Sequence, residues 1–346
     1  LDTAIDEGDD VGGEQGTAAL RGTLGWVWTV FGPFLGLVLV TLLFVFLTRD
    51  SGLFLTVYNW RTIAVQTVIV GTAALGMTII IISGGIDLSV GSIVALVTVV
   101  TALLVRDLGW PLTLAMVAGV VLGGVCGCFN GSLINGLGVV PFIITLGSLQ
   151  IFRGLAKWLS TSTTVYIPDG TKPWWLGRLL AIEPQPPWLL LAPGVWVLIV
   201  LSGVLALALR YSLLGRYIYA IGSNEATARL CGISVARVKV TVYTLAGLAT
   251  GLAGVMQFVY LDATGDPITA DGLELQVIAA VVIGGGSLSG GEGTVLGTLI
   301  GCLIMSVLNN GCIHAGIPNQ VQDVIIGAII VAAVALDRLR RRNEGL

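Results

Sequence analysis

Residues 112–134 read LTLAMVAGVVLGGVCGCFNGSLI, and this stretch decides the fold. It carries no charge, and as a helix rising ~1.5 Å per residue it crosses the ~30 Å hydrocarbon core of a bilayer. Gly119, Gly123, Gly127 and Gly131 recur every four residues within it. On a helix that spacing makes one smooth face, suited to helix packing, where another backbone approaches closely. Outward from this stretch the pattern repeats. Apolar spans fall near 25–47, 62–83, 88–105, 112–134, 141–160, 188–209, 239–261, 275–287, 293–312 and 320–336. Gly247 and Gly251 in the seventh, and Gly297 and Gly301 in the ninth, repeat the glycine device. The eighth is short and ends in glycine, as a partial or broken span does. The expected fold is all-α: a polytopic membrane protein of about ten transmembrane helices, one integral domain over 25–336, with both termini on one side.

Composition agrees. The 346 residues are 55% hydrophobic and 11% charged, where a soluble protein carries about 25% charge. Glycine, at 48 residues, is about double its usual ~7% share, which in a membrane favours close packing and broken helices. Net charge is −3, and no basic face points to nucleic acid. Cys126, Cys128 and Cys302 fall inside apolar runs, while Cys231 and Cys312 complete the set of five. With His314 the only histidine and no CxxC, they read as small packing residues rather than metal ligands. No serine lies in GxSxG and no acidic pair shares a span, so no catalytic set emerges.

The polar ends and loops orient the chain. Residues 1–24 read as a disordered acidic tail, with Asp2, Asp6, Glu7, Asp9, Asp10 and Glu14 before the first base, Arg21. Residues 337–346 read as a basic tail. With the termini inside, the inner face carries Arg21, Arg210, Arg216, Arg229, Arg237, Lys239, Arg338, Arg340, Arg341 and Arg342. The outer face carries Arg49, Arg61, Arg106, Lys157, Lys172 and Arg178, while Arg153 lies within a span. The positive-inside rule therefore favours cytoplasmic termini. The loop 161–187 then lies outside, where Trp174 and Trp175 suit an interfacial belt.

That orientation puts one polar segment, 211–238, in the cytoplasm. Its centre, Gly222 to Ile233, reads as a short amphipathic helix. Ser223 or Asn224 can cap it, and Glu225 suits its positive N-terminal end. Ala226 follows, and Arg229 stands four residues after Glu225. Gly232 offers a stop, and Leu230 and Ile233 give an apolar edge that a partner can grip.

Other motifs carry two readings each. Leu288–Glu292 is similar to the LSGGQ signature of ABC ATPases, but none of the three lysines closes a GxxxxGK[ST] phosphate loop. The stretch Gly284–Gly293 that contains it reads as a flexible turn between two apolar spans. Ser83–Ser92 joins the second and third spans, either as a tight turn or as a break near a translocation path with Asp87 fixing it. Asn130, Thr145 and Asn309 sit at membrane depth, where they either meet a neutral polyol or bond one helix to another.

The residues also resemble a known family. Gly76-Met77-Thr78, Ile82 through Ser92, Phe129-Asn130-Gly131, Pro141 through Gly147, Gly215-Arg216, Ala220 through Ala228 and Val281 through Leu288 follow one another in the order seen in the membrane permease of ribose-type ABC sugar importers. The resemblance covers roughly 60–340. It implies the pore subunit of an importer in the bacterial cytoplasmic membrane, moving a monosaccharide such as a ribose-like pentose or a hexose by alternating access. Implied partners are an ABC ATPase inside, a periplasmic or lipid-anchored sugar-binding protein outside, and a second permease chain, identical or paralogous, within the lipid. The implied ATPase-coupling residues are Gly222, Asn224, Glu225, Ala226, Arg229 and Gly232; ATP and Mg would belong to the partner, and this chain would need no cofactor and hydrolyse nothing. Glu225, Ala226 and Gly232 resemble the EAA–Gly loop of ABC permeases, with Gly one residue later than in that loop. Rival readings are an ABC permease for branched-chain amino acids, nucleosides or a signalling furanone, an ion-coupled secondary transporter, and an uncoupled channel or scaffold.

Overall fold

The computed structural model describes residues 32–49, 52–168 and 170–344, so the expected tail at 1–24 lies outside the described residues. Each expected span coincides with a helix. The described part of the first is α1, Gly32–Leu47. There follow α2 (Val57–Ile82), α3 (Val90–Arg106), α4 (Leu112–Leu137) and α5 (Pro141–Leu159), then a single turn, α6 (Leu176–Leu179). Next come α7 (Pro193–Tyr211), α8 (Leu213–Ser223), α9 (Glu225–Leu230) and α10 (Val235–Tyr260). The chain closes with α11 (Leu273–Ile283), α12 (Val295–His314) and α13 (Asn319–Glu344), which runs on through most of the expected basic tail.

Among the described residues, five segments are long and apolar enough to cross a membrane: α2, α4, Pro187–Tyr211 containing α7, α10 and α12. Ten full crossings are not established. With 11 residues, α11 reaches only ~16 Å, about half of a hydrocarbon core. The chain is almost wholly helical, as expected, with one short addition: Val165–Tyr166 (β1) pairs antiparallel with Thr264–Gly265 (β2). This two-rung ladder ties the 161–187 loop to the connection between α10 and α11.

Local chemistry sets the ends. The Thr56 hydroxyl accepts the Asn59 amide at 3.2 Å to start α2, and the Thr294 hydroxyl accepts the Gly297 amide at 3.0 Å to start α12. Pro141 and Pro193 open α5 and α7, where a missing N–H costs nothing. Inside these helices the backbone satisfies itself, as a segment in lipid must.

Helix α2 is the axis of the bundle and is packed by α7, α10, α11 and α12. The glycine stripe does what its spacing implies. A Cβ on Gly123 would stand 2.5 Å from the Gly251 Cα, one on Gly127 would stand 2.9 Å from the Gly247 Cα, and one on Gly131 would stand 2.9 Å from the Val240 Cα. The partner numbers fall as the α4 numbers rise, so α4 and α10 pack antiparallel with backbones touching. Gly119 turns toward α3, with Thr101 and Val97 as neighbours. Gly297 and Gly301 meet the backbone of Gly284 and Ala280 in the same way, joining α12 to α11. Cys126 is buried and Cys128 exposed, as two residues apart on one helix requires.

Candidate functional site

The polar segment folds as its residues dictate. Asn224, not Ser223, is the cap: its side-chain oxygen accepts the Thr227 amide at 2.9 Å. The Arg229 guanidinium donates to Glu225 at 2.9 Å across one turn. Gly232 adopts φ +83° and ends α9. Its amide bonds the Arg229 carbonyl at 3.1 Å while the Ile233 amide bonds the Ala228 carbonyl at 3.1 Å. These are the paired bonds of a Schellman stop, which puts a left-handed residue where glycine bears no Cβ penalty. Leu230 is 89% exposed, an apolar side chain held out from a stiff turn.

One partner was illegible in the sequence. The Lys239 ammonium reaches Glu225 at 2.7 Å from the second turn of α10. Glu225 thus ties α9 both to itself and to the helix that follows. Lys239 beside it, with Arg229 adding less, holds the Glu225 carboxyl below its usual range. Because the folded value lies below the unfolded one, this pairing stabilises the fold above the ordinary carboxylate range. It is lost as pH falls through the lowered value. The carboxyl carbon shift of Glu225 in the solubilised protein is expected to report that lowered midpoint, and Lys239→Gln to move it upward. A midpoint unmoved by Lys239→Gln would rule the pairing out.

Above α9 the chain is knotted to two loops. The Gly291 amide donates to the Ile82 carbonyl at 2.9 Å, and the Tyr219 hydroxyl donates to the Gly293 carbonyl at 2.8 Å. Gly222 sits in the gap. A Cβ there would fall on the Ile82 carbonyl and 2.5 Å from the Gly291 amide nitrogen. The end of α8, the α2–α3 turn and the Gly284–Thr294 loop therefore meet backbone to backbone. The Leu288–Glu292 stretch is a packed turn rather than a flexible one, with the Gly290 amide bonded to the Ser287 carbonyl at 2.9 Å.

Three of the four candidates for a translocation path, Asp87, Asn130 and Thr145, meet around the α2–α3 turn. Asp87 is buried and accepts from the Ser89 amide at 2.8 Å and the Ser89 hydroxyl at 2.6 Å. The Asn130 amide donates to the Ser89 hydroxyl at 2.9 Å. The Thr145 hydroxyl and the Tyr243 hydroxyl both donate to the Ile86 carbonyl at 3.3 Å. The α2–α3 turn is thereby pinned to α4, α5 and α10.

Asn309 stands apart from that network, on the wall of a cavity of about 340 Å³ between α2, α10, α11 and α12. The polar part of its lining is Gln66, Gln257, Gln276, Ser306, Asn309, Tyr260 and Asp271. Gln66 Oε1 and Ser306 Oγ are buried there without a hydrogen-bond partner, an arrangement that costs free energy unless a ligand or water completes it. The rim is held from α5. Arg153 is 9% exposed and donates to the Thr269 carbonyl at 2.7 Å and the Pro267 carbonyl at 3.2 Å. Its other nitrogen lies 3.7 Å from Asp271. Gln257 donates to the Thr269 hydroxyl at 2.8 Å, so the same loop is tied to the cavity wall. The sequence marked Arg153 only as a charge within a span.

A bundle of apolar helices packed on glycine, with a cavity of mixed polar and apolar lining and a capped polar helix between two spans, is consistent with a multi-pass membrane permease. The chain belongs to the family described as branched-chain amino acid transport system / permease component, matched over residues 59–334. It is 37% identical to the ribose import permease protein RbsC of Escherichia coli strain K12 over 297 residues, covering 83% of this chain and 88% of that one. It is 38% identical to the D-allose transport system permease protein AlsC of the same strain over 312 residues, covering 90% and 92%. Identity to that strain's xylose transport system permease protein XylH is 34% over 360 residues, covering 88% and 91%. No solved structure matches the chain.

Proposed function

We propose that this chain is the membrane-spanning permease of an ATP-driven importer of a neutral monosaccharide. The observation that carries this reading is the set of amides and hydroxyls in the lining of the cavity between α2, α10, α11 and α12. Amides and hydroxyls both donate and accept, which matches the hydroxyls of a sugar. The cavity's volume of about 340 Å³ is at the lower end of the ~300–1,000 Å³ usual for small-molecule sites. The family description names branched-chain amino acids, and the lining argues against them. An amino acid zwitterion is held best where each charged end meets a group of opposite charge or dipole. The lining holds one charged group, Asp271, and its cation Arg153 is committed to the loop behind it. The relatives named for ribose, allose and xylose point the same way.

In this reading α9 is the contact for a separate ATPase in the cytoplasm, with Leu230 and the Glu225–Arg229 face presented to it. Movement of α9 reaches the bundle through Gly222, because the two loops packed there lead directly into α3 and α12. The glycine-packed helices then switch access from outside to inside. Asp87, Asn130 and Thr145 brace the α2–α3 turn through which that movement passes. A sugar-binding protein outside and a second permease chain complete the assembly.

Vesicles holding this chain, its ATPase and its binding protein test the proposal. Uptake of a labelled pentose or hexose is expected only with hydrolysable ATP. Equal uptake without nucleotide would make the chain a channel or an ion-coupled carrier.

A further inference from the structure

A second concavity, about 670 Å³, lies between the end of α7, the start of α8 and the first turn of α12. Arg210 closes α7 and Arg216 opens α8, and both line it with Tyr219. Neither arginine has an acidic partner among the described residues. On the same predicted cytoplasmic face, Arg229 and Lys239 share Glu225, and Arg237 donates to the Ser234 hydroxyl at 3.0 Å. Arg210 and Arg216 are thus the cations left without an anion or hydrogen-bond acceptor among the side chains described on that face; Arg210 rests only against the Tyr211 ring, 5.4 Å from its centroid. Apart from Thr294, the remaining walls are apolar, led by Leu209 and Leu296. Around them Val204 and Leu207 of α7 and Leu213 of α8 are 58%, 60% and 60% exposed, an apolar surface suited to lipid tails. An occupant must therefore carry an anionic head for two guanidinium groups and an apolar body for the walls.

We propose that this cleft holds the headgroup of an anionic phospholipid of the cytoplasmic leaflet, with Arg210 and Arg216 on its phosphate. Guanidinium groups pair with phosphate oxygens in a planar, two-bond geometry, and basic clefts between helices on this side of a membrane suit such headgroups. The occupied cleft would also touch the coupling route. Tyr219, on its wall, donates to Gly293 in the loop packed against Gly222, so lipid there would steady the element from which α9 hangs.

The full chain in nanodiscs of mixed phosphatidylglycerol and phosphatidylcholine, released for native mass spectrometry, tests this without any transport assay. Phosphatidylglycerol should be retained in preference, by roughly fivefold per arginine. The double change Arg210→Gln with Arg216→Gln should abolish the preference, while Arg210→Lys with Arg216→Lys keeps part of it and Arg237→Gln leaves it whole. Equal retention of the two lipids, or preference surviving the double glutamine change, would overturn the proposal. Displacement of the lipid by inorganic phosphate alone would make the site one for a soluble anion. Preference appearing only after removal of residues 1–24 would make that acidic segment the occupant.

Discussion

Gly127→Val is expected to lower the thermal midpoint of the solubilised protein steeply and to leave little of it in the membrane. The side chain would enter a contact between two backbones. Its first carbon falls on the Tyr243 carbonyl and 2.9 Å from the Gly247 Cα. A flexible neighbour could swing away, but a backbone inside a helix cannot. To make room, α4 and α10 must separate and give up the contact along Gly123 and Gly131. Overfilling a packed core costs about 1–3 kcal/mol, and more where the walls are rigid, so this site belongs at or above the top of that range. Gly136 on the same helix is the control, because nothing lies within 4 Å of its Cβ position. Gly136→Ala should leave the midpoint unchanged or raise it slightly. Equal loss at both positions would mean that glycine matters for helix flexibility rather than for the α4–α10 contact.

Gly222→Val is expected to separate ATPase binding from transport. The added methyls break into the junction where the Gly291 amide meets the Ile82 carbonyl at 2.9 Å. The face of α9 is built from other residues, so the exposed Leu230 and the Glu225–Arg229 pair remain in place. The ATPase should still co-purify, while ATP-driven uptake falls on the order of 100-fold, the upper part of the range for coupling between sites. Leu230→Asp should do the reverse at the first step, weakening co-purification itself. If Gly222→Val transports normally, movement reaches the bundle by another route.

How much of this was legible beforehand follows from how local each feature is. The spans, the glycine stripe, the Asn224 cap, the Glu225–Arg229 pair and the Gly232 stop depend on residues within a turn or two of one another. Helical periodicity displays them directly. The Glu225–Lys239 pair crosses a chain reversal, and no spacing rule reaches across it. The cavity is assembled from Gln66 on α2, Gln257 on α10, Gln276 on α11, and Ser306 and Asn309 on α12. Each of these is one polar residue in an apolar helix, and only tertiary packing shows that they face one another. For the same reason the sequence left Asp87, Asn130 and Thr145 between a path role and a bonding role, and did not show that they meet around one turn. The β1–β2 ladder escaped notice because two residues on each side leave no alternating pattern.

The most direct test is the ratio of ATP-driven monosaccharide uptake to ATP-driven leucine uptake in the same vesicles, with matched binding proteins for each. A path that offers amides and hydroxyls, with Asp271 as the one charged group in its lining, predicts a ratio well above one. It also predicts a collapse of sugar uptake in Asn309→Leu, where a group that both donates and accepts is lost at the cavity wall, with ATPase binding intact. Leucine carried as fast as sugar, or sugar uptake indifferent to Asn309→Leu, would contradict it.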